Sequence, residues 1–177
     1  FDIIKSIVND INVDYLIIVD ALCSSSIKRI NKTIQITNTG ISPGSGVGNK
    51  RKEISKETIG LPVIAVGIPT VVDFVTIASE IMDLVVKYLD FHGNKEKLNF
   101  LNPKDMNLDS RIVDEDLKTK FLGEIGKLND NQKKELLYDV VNNGGYNMIV
   151  TPKEIDLDIE DLSKIVAMSI NKAVHDF

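Results

Sequence analysis

The sequence predicts an α/β protein built on a layered sheet, and three observations carry that prediction. Tyr15–Val19 and Pro62–Ile68 are short, unbroken apolar runs of the kind found in parallel strands buried on both faces. A helix-spaced segment precedes the first run, and a longer one follows the second. The resulting order of helix, strand, loop, strand and helix is the alternation that layered sheets require.

A chain of 177 residues is long enough for one substantial core, and its length favours a single domain. The net charge is -5, with acids and bases mixed along the whole length. That balance gives no electrostatic footprint for nucleic acid and no basic face for an anionic membrane. No apolar run approaches the roughly 20 residues needed to cross a bilayer. One cysteine, Cys23, excludes an internal disulfide framework and fits a reducing cytoplasm. The chain opens at Phe1, without an initiator methionine, which predicts a fragment or a processed product.

Taken in order, Ile3, Ile4, Ile7, Val8 and Ile11 fall at helical spacing, so residues 2–11 are predicted as an amphipathic helix. The strand over 15–19 ends at Asp20. Thr33–Ile36 is a weaker strand candidate, and 37–52 reads as a loop rich in Gly, Ser and Asn. After the 62–68 strand, apolar residues from Thr70 to Leu89 predict a long helix packed on more than one side. Residues 91–110 lack periodicity and read as a flexible insertion. Helices are predicted over 114–125 and 130–142, the second with Asn129 and Gln132 placed for a capping box. Asn143-Gly144-Gly145 stops it. Met148–Val150 is a short strand, and Thr151-Pro152-Lys153-Glu154 introduces a terminal helix over 158–174.

Few residues carry candidate chemistry. Asp20 stands at the carboxyl end of a buried strand, where open α/β sheets place their ligand crevice. The plainer alternative is that it caps the following turn. The stretch from Gly40 to Glu53 contains Ser42, Gly44, Ser45, Gly46, Gly48 and Asn49. It fails both phosphate-loop spacings, because Asn49 stands where a glycine is needed and Lys50 is followed by Arg51. It reads either as a surface loop or as a backbone-lined wall that a peptide could approach closely. Asp73 is predicted in the first turn of the long helix, where the helix dipole alone explains a carboxylate. Lys28 and Arg29 follow the Asp20 loop and could tune a nearby carboxylate, or be simply solvated. His92 and His175 have no ligand-spaced partner, so no metal site is predicted. Cys23 reads as a small buried residue before it reads as a nucleophile.

Three segments resemble a known family: VDAL at 19–22, IQITNTGISPGSGVGNKRKEISKETIGLPVIAVGIPTVVD at 34–73, and YNMIVTPKEID at 146–156. Together they are similar to the germination proteases of spore-forming bacteria, and the likeness covers nearly the whole chain. The resemblance implies an atypical aspartic endopeptidase that cleaves small acid-soluble spore proteins in the cytoplasm of the spore core. It further implies a zymogen, a homotetramer, no cofactor, and a three-layer α/β/α sandwich related to the hydrogenase maturation proteases. Of the family's proposed pair of catalytic aspartates, the one in the Asp-Ala-Leu motif is Asp20. Its partner belongs to a Thr-Pro-Asp motif, which does not occur in these 177 residues, since Thr151-Pro152 is followed by Lys153. The amino-terminal part of the catalytic domain is therefore expected to be absent, and the isolated chain inactive. In this reading Ser42, Gly44, Ser45, Gly46, Gly48 and Asn49 supply substrate or oxyanion contacts, and Asp73 is a secondary catalytic candidate. Two alternatives remain: a metal-dependent maturation-type protease, and a non-catalytic oligomerisation domain.

Overall fold

The computed structural model describes residues 1–45, 51–93 and 112–175. The chain divides into two compact units. The first comprises Phe1–Asp73 with Ile149–Phe177, and the second comprises Phe74–Met148.

The first unit is the predicted α/β assembly. Helix α1 (Asp2–Asp10) precedes strand β1 (Leu16–Ser24), and a short 3-10 turn spans Ile27–Arg29. Strand β2 (Gln35–Thr37), helix α2 (Lys56–Ile59) and strand β3 (Val63–Asp73) follow. After the second unit the chain returns as β4 (Ile149–Val150) and α6 (Ile155–His175). Strand β3 is the organising element. It pairs in parallel with β1 from Leu16↔Val63 onward, antiparallel with β2, and antiparallel with β4 at Val72 and Asp73.

Side-chain alternation divides the β1–β3 pair into two faces. Leu16, Ile18 and Val63 share one face with Ile4 and Val8 of α1, closing a core around Ile54 and Ile59. Val63 and Ala65 are each 1% exposed on that face. Val19, Ala21, Ile68 and Thr70 lie on the other face, against Leu162 and Val166 of α6. Helices thus flank the sheet on both sides, which is why β1 and β3 read as unbroken apolar runs rather than alternating ones.

Strand β3 departs from the sequence expectation in one respect. It does not stop at Ile68 but runs to Asp73, and the long helix begins only at Phe74. Thr70-Val71-Val72 is β-branched throughout, and such side chains prefer the pleated surface. No glycine or proline separates the strand from the helix, so the boundary has no punctuation. Pro69 is fully buried where the β1–β3 register shifts: Leu22 pairs with Pro69, but Cys23 pairs with Val71. Thr70 is therefore the extra residue of a bulge. A proline, which lacks an N–H, is tolerated at such an irregularity. Helix α2 was not foreseen, because four residues are too few for periodicity. Ser55 and Thr58 close a capping box around it, and Gly60 ends it at φ 96°.

The second unit is helical. Helix α3 spans Phe74–Gly93, α4 spans Glu115–Leu122 and continues into a 3-10 turn at Gly123–Lys127, and α5 spans Asp130–Asn143. The expected capping box on α5 is present: Asn129 Oδ1 accepts from Gln132 N at 3.0 Å, and Gln132 Oε1 accepts from Asn129 N at 3.1 Å. Val75 and Val86 of α3 are buried. Between α3 and α5, Lys133 is 3% exposed and its Nζ donates to both carboxylate oxygens of Asp83 at 2.7 and 2.8 Å. Most of the expected 91–110 insertion lies outside the described residues.

Candidate functional site

At the carboxyl end of β1 the chain opens a cavity of about 350 Å³. Its wall brings together Asp20, Cys23, Arg29, Ser42, Gly44 and Ser45, together with Gln35 and Thr70. Five residues singled out from the sequence thus meet in one place: Asp20, Arg29, Ser42, Gly44 and Ser45. They arrive by three local devices: a strand, a 3-10 turn and a loop neck.

The expectation that the first strand ends at Asp20 is corrected: β1 continues to Ser24 through its pairing with β3, so Asp20 sits in mid-strand, in register with Gly67. Gly67 has no side chain to crowd it, and Leu22 fills the space instead; a Cβ on Gly67 would collide with the Leu22 side chain. Among the described residues Asp20 makes no side-chain hydrogen bond or ion pair, and it is the only carboxylate lining the cavity. The capping reading is therefore not what the structure shows: the first turn after β1 is capped by Ser26, whose Oγ accepts from Lys28 N.

Arg29 closes the 3-10 turn. Ser24 Oγ donates to Ser26 O at 2.6 Å, and Arg29 N donates to Ser26 O at 3.2 Å. Lys28, the other expected charge-tuning residue, belongs to the same turn but does not line the cavity.

Ser42, Gly44 and Ser45 stand at the start of the Gly-rich loop. An antiparallel bridge pins the loop's neck: Ile41 N donates to Ile54 O at 2.9 Å, and Ile54 N donates to Ile41 O at 2.8 Å. Ile54 is 2% exposed, so the loop is rooted in the core. Gly40 makes this approach feasible, since its φ is 99° and a Cβ there would sit 2.6 Å from Ile54 O. Gly46, Gly48 and Asn49 lie outside the described residues.

The expectation that Asp73 opens a helix is corrected. Asp73 is the last residue of β3 and does not line the cavity. It acts instead on Cys23. Burial pushes the Cys23 thiol pKa up, the Asp73 charge pushes it further, and a backbone hydrogen bond with Asp73 pulls the other way. A thiol held protonated is a poor nucleophile, although Cys23 is only partly buried and lines the cavity rather than being the buried residue expected. Gln35 and Thr70 were not anticipated. The signal for Thr70 was present in Pro69, whose missing N–H marks the bulge.

A second, apolar groove of about 480 Å³ opens between the sheet and α6. It shares Asp20, Ala21 and Thr70 with the polar cavity, so Asp20 stands at the junction of an apolar and a polar surface. Among the described residues, no group of three or more His, Cys, Asp or Glu side chains is placed to hold a metal ion. No helix among them is long and apolar enough to cross a membrane.

The site defines a class: an α/β protein in which a carboxylate of a central strand lines one cavity with an arginine and the start of a Gly-rich loop. The sequence model of the germination proteases matches residues 1–177. Germination proteases of Bacillus cereus (strain G9842), Bacillus thuringiensis subsp. konkukian (strain 97-27) and Bacillus anthracis (strain CDC 684 / NRRL 3495) are 45% identical over 183 residues. Each of those alignments covers 98% of this chain and 50% of the relative. The chain belongs to the germination protease family and spans about half the length of these relatives. The resemblance read from VDAL, the 34–73 block and the 146–156 segment is borne out.

Proposed function

We propose that this chain forms part of an endopeptidase that cleaves small acid-soluble spore proteins in the spore core, with Asp20 as one of two catalytic aspartates. The single observation supporting this reading is the convergence of Asp20, Arg29 and the Ser42–Ser45 turn on one cavity, in a chain of this family. The chemistry follows from carboxylate physics. Two acids held close cannot both ionise cheaply, so one keeps its proton and the other acts as base toward water. Asp20 borders a cavity of about 350 Å³, in which water and a peptide carbonyl would be placed. Arg29 and donors of the Gly-rich loop would stabilise the oxyanion that forms as water adds. The apolar groove ending at Asp20 would seat substrate flanking the cleaved bond.

The second aspartate is not supplied by a Thr-Pro-Asp motif within residues 1–177. In this reading it comes from the part of the family's length that this chain does not span, and assembly is tetrameric. Incubating the whole gene product with a purified small acid-soluble spore protein and identifying the products by mass spectrometry tests the proposal. Discrete internal cleavage supports it, and an intact substrate after prolonged incubation with folded protein counts against it. Residues 1–177 alone are expected to leave the substrate intact.

A further inference from the structure

The loop that carries Arg29 is closed locally by bonds among Ser24, Ser26, Lys28, Arg29, Lys32 and Thr33, but these do not tie it to the rest of the fold. It leaves β1 at Ser24 and must return to β2 at Gln35, and its interior is a single 3-10 turn. One residue ties it to the sheet and to α6. Asn31 is the only non-glycine with positive φ among the described residues, at 53°. Asparagine is among the few side chains that enter this left-handed region at low cost. The conformation turns its two polar ends in separate directions. Its backbone N donates to Pro69 O at 2.7 Å, and its Nδ2 donates to Asp158 Oδ2 at 2.9 Å, across 127 residues of sequence.

Both anchors matter to the site. Pro69 immediately precedes Thr70, the bulge residue lining both cavities, and the bulge releases the carbonyls of this stretch from the regular ladder. The two carbonyls are taken up from outside the sheet, Pro69 O by Asn31 and Thr70 O by the Thr151 hydroxyl at 3.0 Å. Asp158 belongs to α6, the helix that walls the apolar groove. Ile30 beside it is 8% exposed, while Lys32 N and Thr33 Oγ1 both bond to Arg29 O. Asn31 is thus the point where the Arg29 turn, the β3 bulge and α6 are joined.

We propose that Asn31 is a positioning residue: its bonds to Pro69 and Asp158 hold the Arg29 turn against Asp20 and fix α6 at the neighbouring groove. This rests on the functional reading of Asp20 given above. Asn31 touches no reacting atom; its effect on activity passes through Arg29 and α6.

The test uses reversal of the side-chain pair in the whole gene product. Asn31→Asp keeps a residue that tolerates the left-handed region, but sets a carboxylate against that of Asp158. The double variant Asn31→Asp/Asp158→Asn restores one donor and one acceptor with their positions exchanged. Cleavage of a purified small acid-soluble spore protein is expected to fall roughly tenfold to a hundredfold in the single variant, carried mainly by kcat, as for displacement of a catalytic group by about 1 Å. The double variant is expected to recover most of that loss. Amide hydrogen exchange over 25–32 should quicken in the single variant and slow again in the double. Unchanged cleavage and exchange in Asn31→Asp, or no recovery in a double variant that unfolds at the wild-type temperature, would overturn the proposal. Asp20→Asn is assayed in parallel. If it cleaves like wild type, the reading of Asp20 falls, and exchange alone decides the clamp: quickened then restored supports it, unchanged sinks it.

Discussion

Two aspartates, one in each unit, are placed in opposite ways. Asp83 in the helical unit is committed to structure: both its oxygens accept from Lys133, a lysine 3% exposed. Asp20 in the sheet unit has no such partner among the described residues and stands where two cavities meet. A buried ammonium has few tolerable states other than beside its carboxylate. An acid on a strand that borders a cavity, with an unsubstituted glycine in register beside it, has room for water. The difference separates a carboxylate that holds a fold from one that is available for chemistry, and each consequence can be measured.

The largest expected effect on stability lies in the helical unit. Asp83→Ala should cost about 3 kcal/mol in urea denaturation, the low end for a broken buried pair. Asp83 is itself 32% exposed, and Asp130 remains 3.6 Å from Lys133 as a partial substitute. Replacing both partners, as Asp83→Leu with Lys133→Met, should cost less than the single change, because no charge is left buried. Equal costs would mean that packing, not the pair, holds these helices together.

Next comes the neck of the Gly-rich loop, where Gly40→Ala is expected to cost about 2 kcal/mol. A Cβ there meets Ile54 O and Ser55 Cβ at 2.6 Å, in a backbone conformation that alanine avoids. A variant as stable as wild type would show that the Ile41–Ile54 bridge shifts freely. Smaller still is Asn129→Ala, which removes one half of the α5 capping box and should cost about 1 kcal/mol.

The smallest effect is one of pH. The raised Cys23 pKa means that the unfolded chain loses the thiol proton first as pH rises. Stability from this group is therefore complete below the usual thiol pKa and is lost as pH climbs through the folded value. Alkylation of native protein by iodoacetamide should show a midpoint displaced upward from that of the urea-unfolded chain. A downward displacement would contradict the placement of Cys23 between burial and the Asp73 charge.

Much of this arrangement was legible in the residues. Tyr15–Val19 and Pro62–Ile68 announced a parallel pair because burial on both faces removes alternation, and Asn129 with Gln132 announced a helix start because capping uses local chemistry. The end of the first strand was misplaced at Asp20, because Ala21-Leu22-Cys23-Ser24 carries no strand pattern of its own and is extended only by pairing with β3. The passage from β3 to α3 was not legible, since Val71, Val72, Phe74 and Val75 satisfy both periodicities, and only pairing with β1 and β4 extends the strand to Asp73. Nor was the inclusion of Gln35, which depends on strand register, while that of Thr70 had only the local signal of Pro69 at the bulge. The roles of Asn31 and Asp158 depend on a contact spanning 127 residues, which local patterning does not encode.

The central claim is that Asp20 is available because it is catalytic. The most direct measurement compares wild type and Asp20→Asn in the whole gene product, with cleavage of a purified small acid-soluble spore protein and thermal unfolding recorded on the same samples. The account predicts a loss of roughly 10²–10⁴-fold in kcat at an unchanged unfolding temperature, as for removal of an acid–base group. Wild-type cleavage by the variant would contradict it and return Asp20 to a structural role.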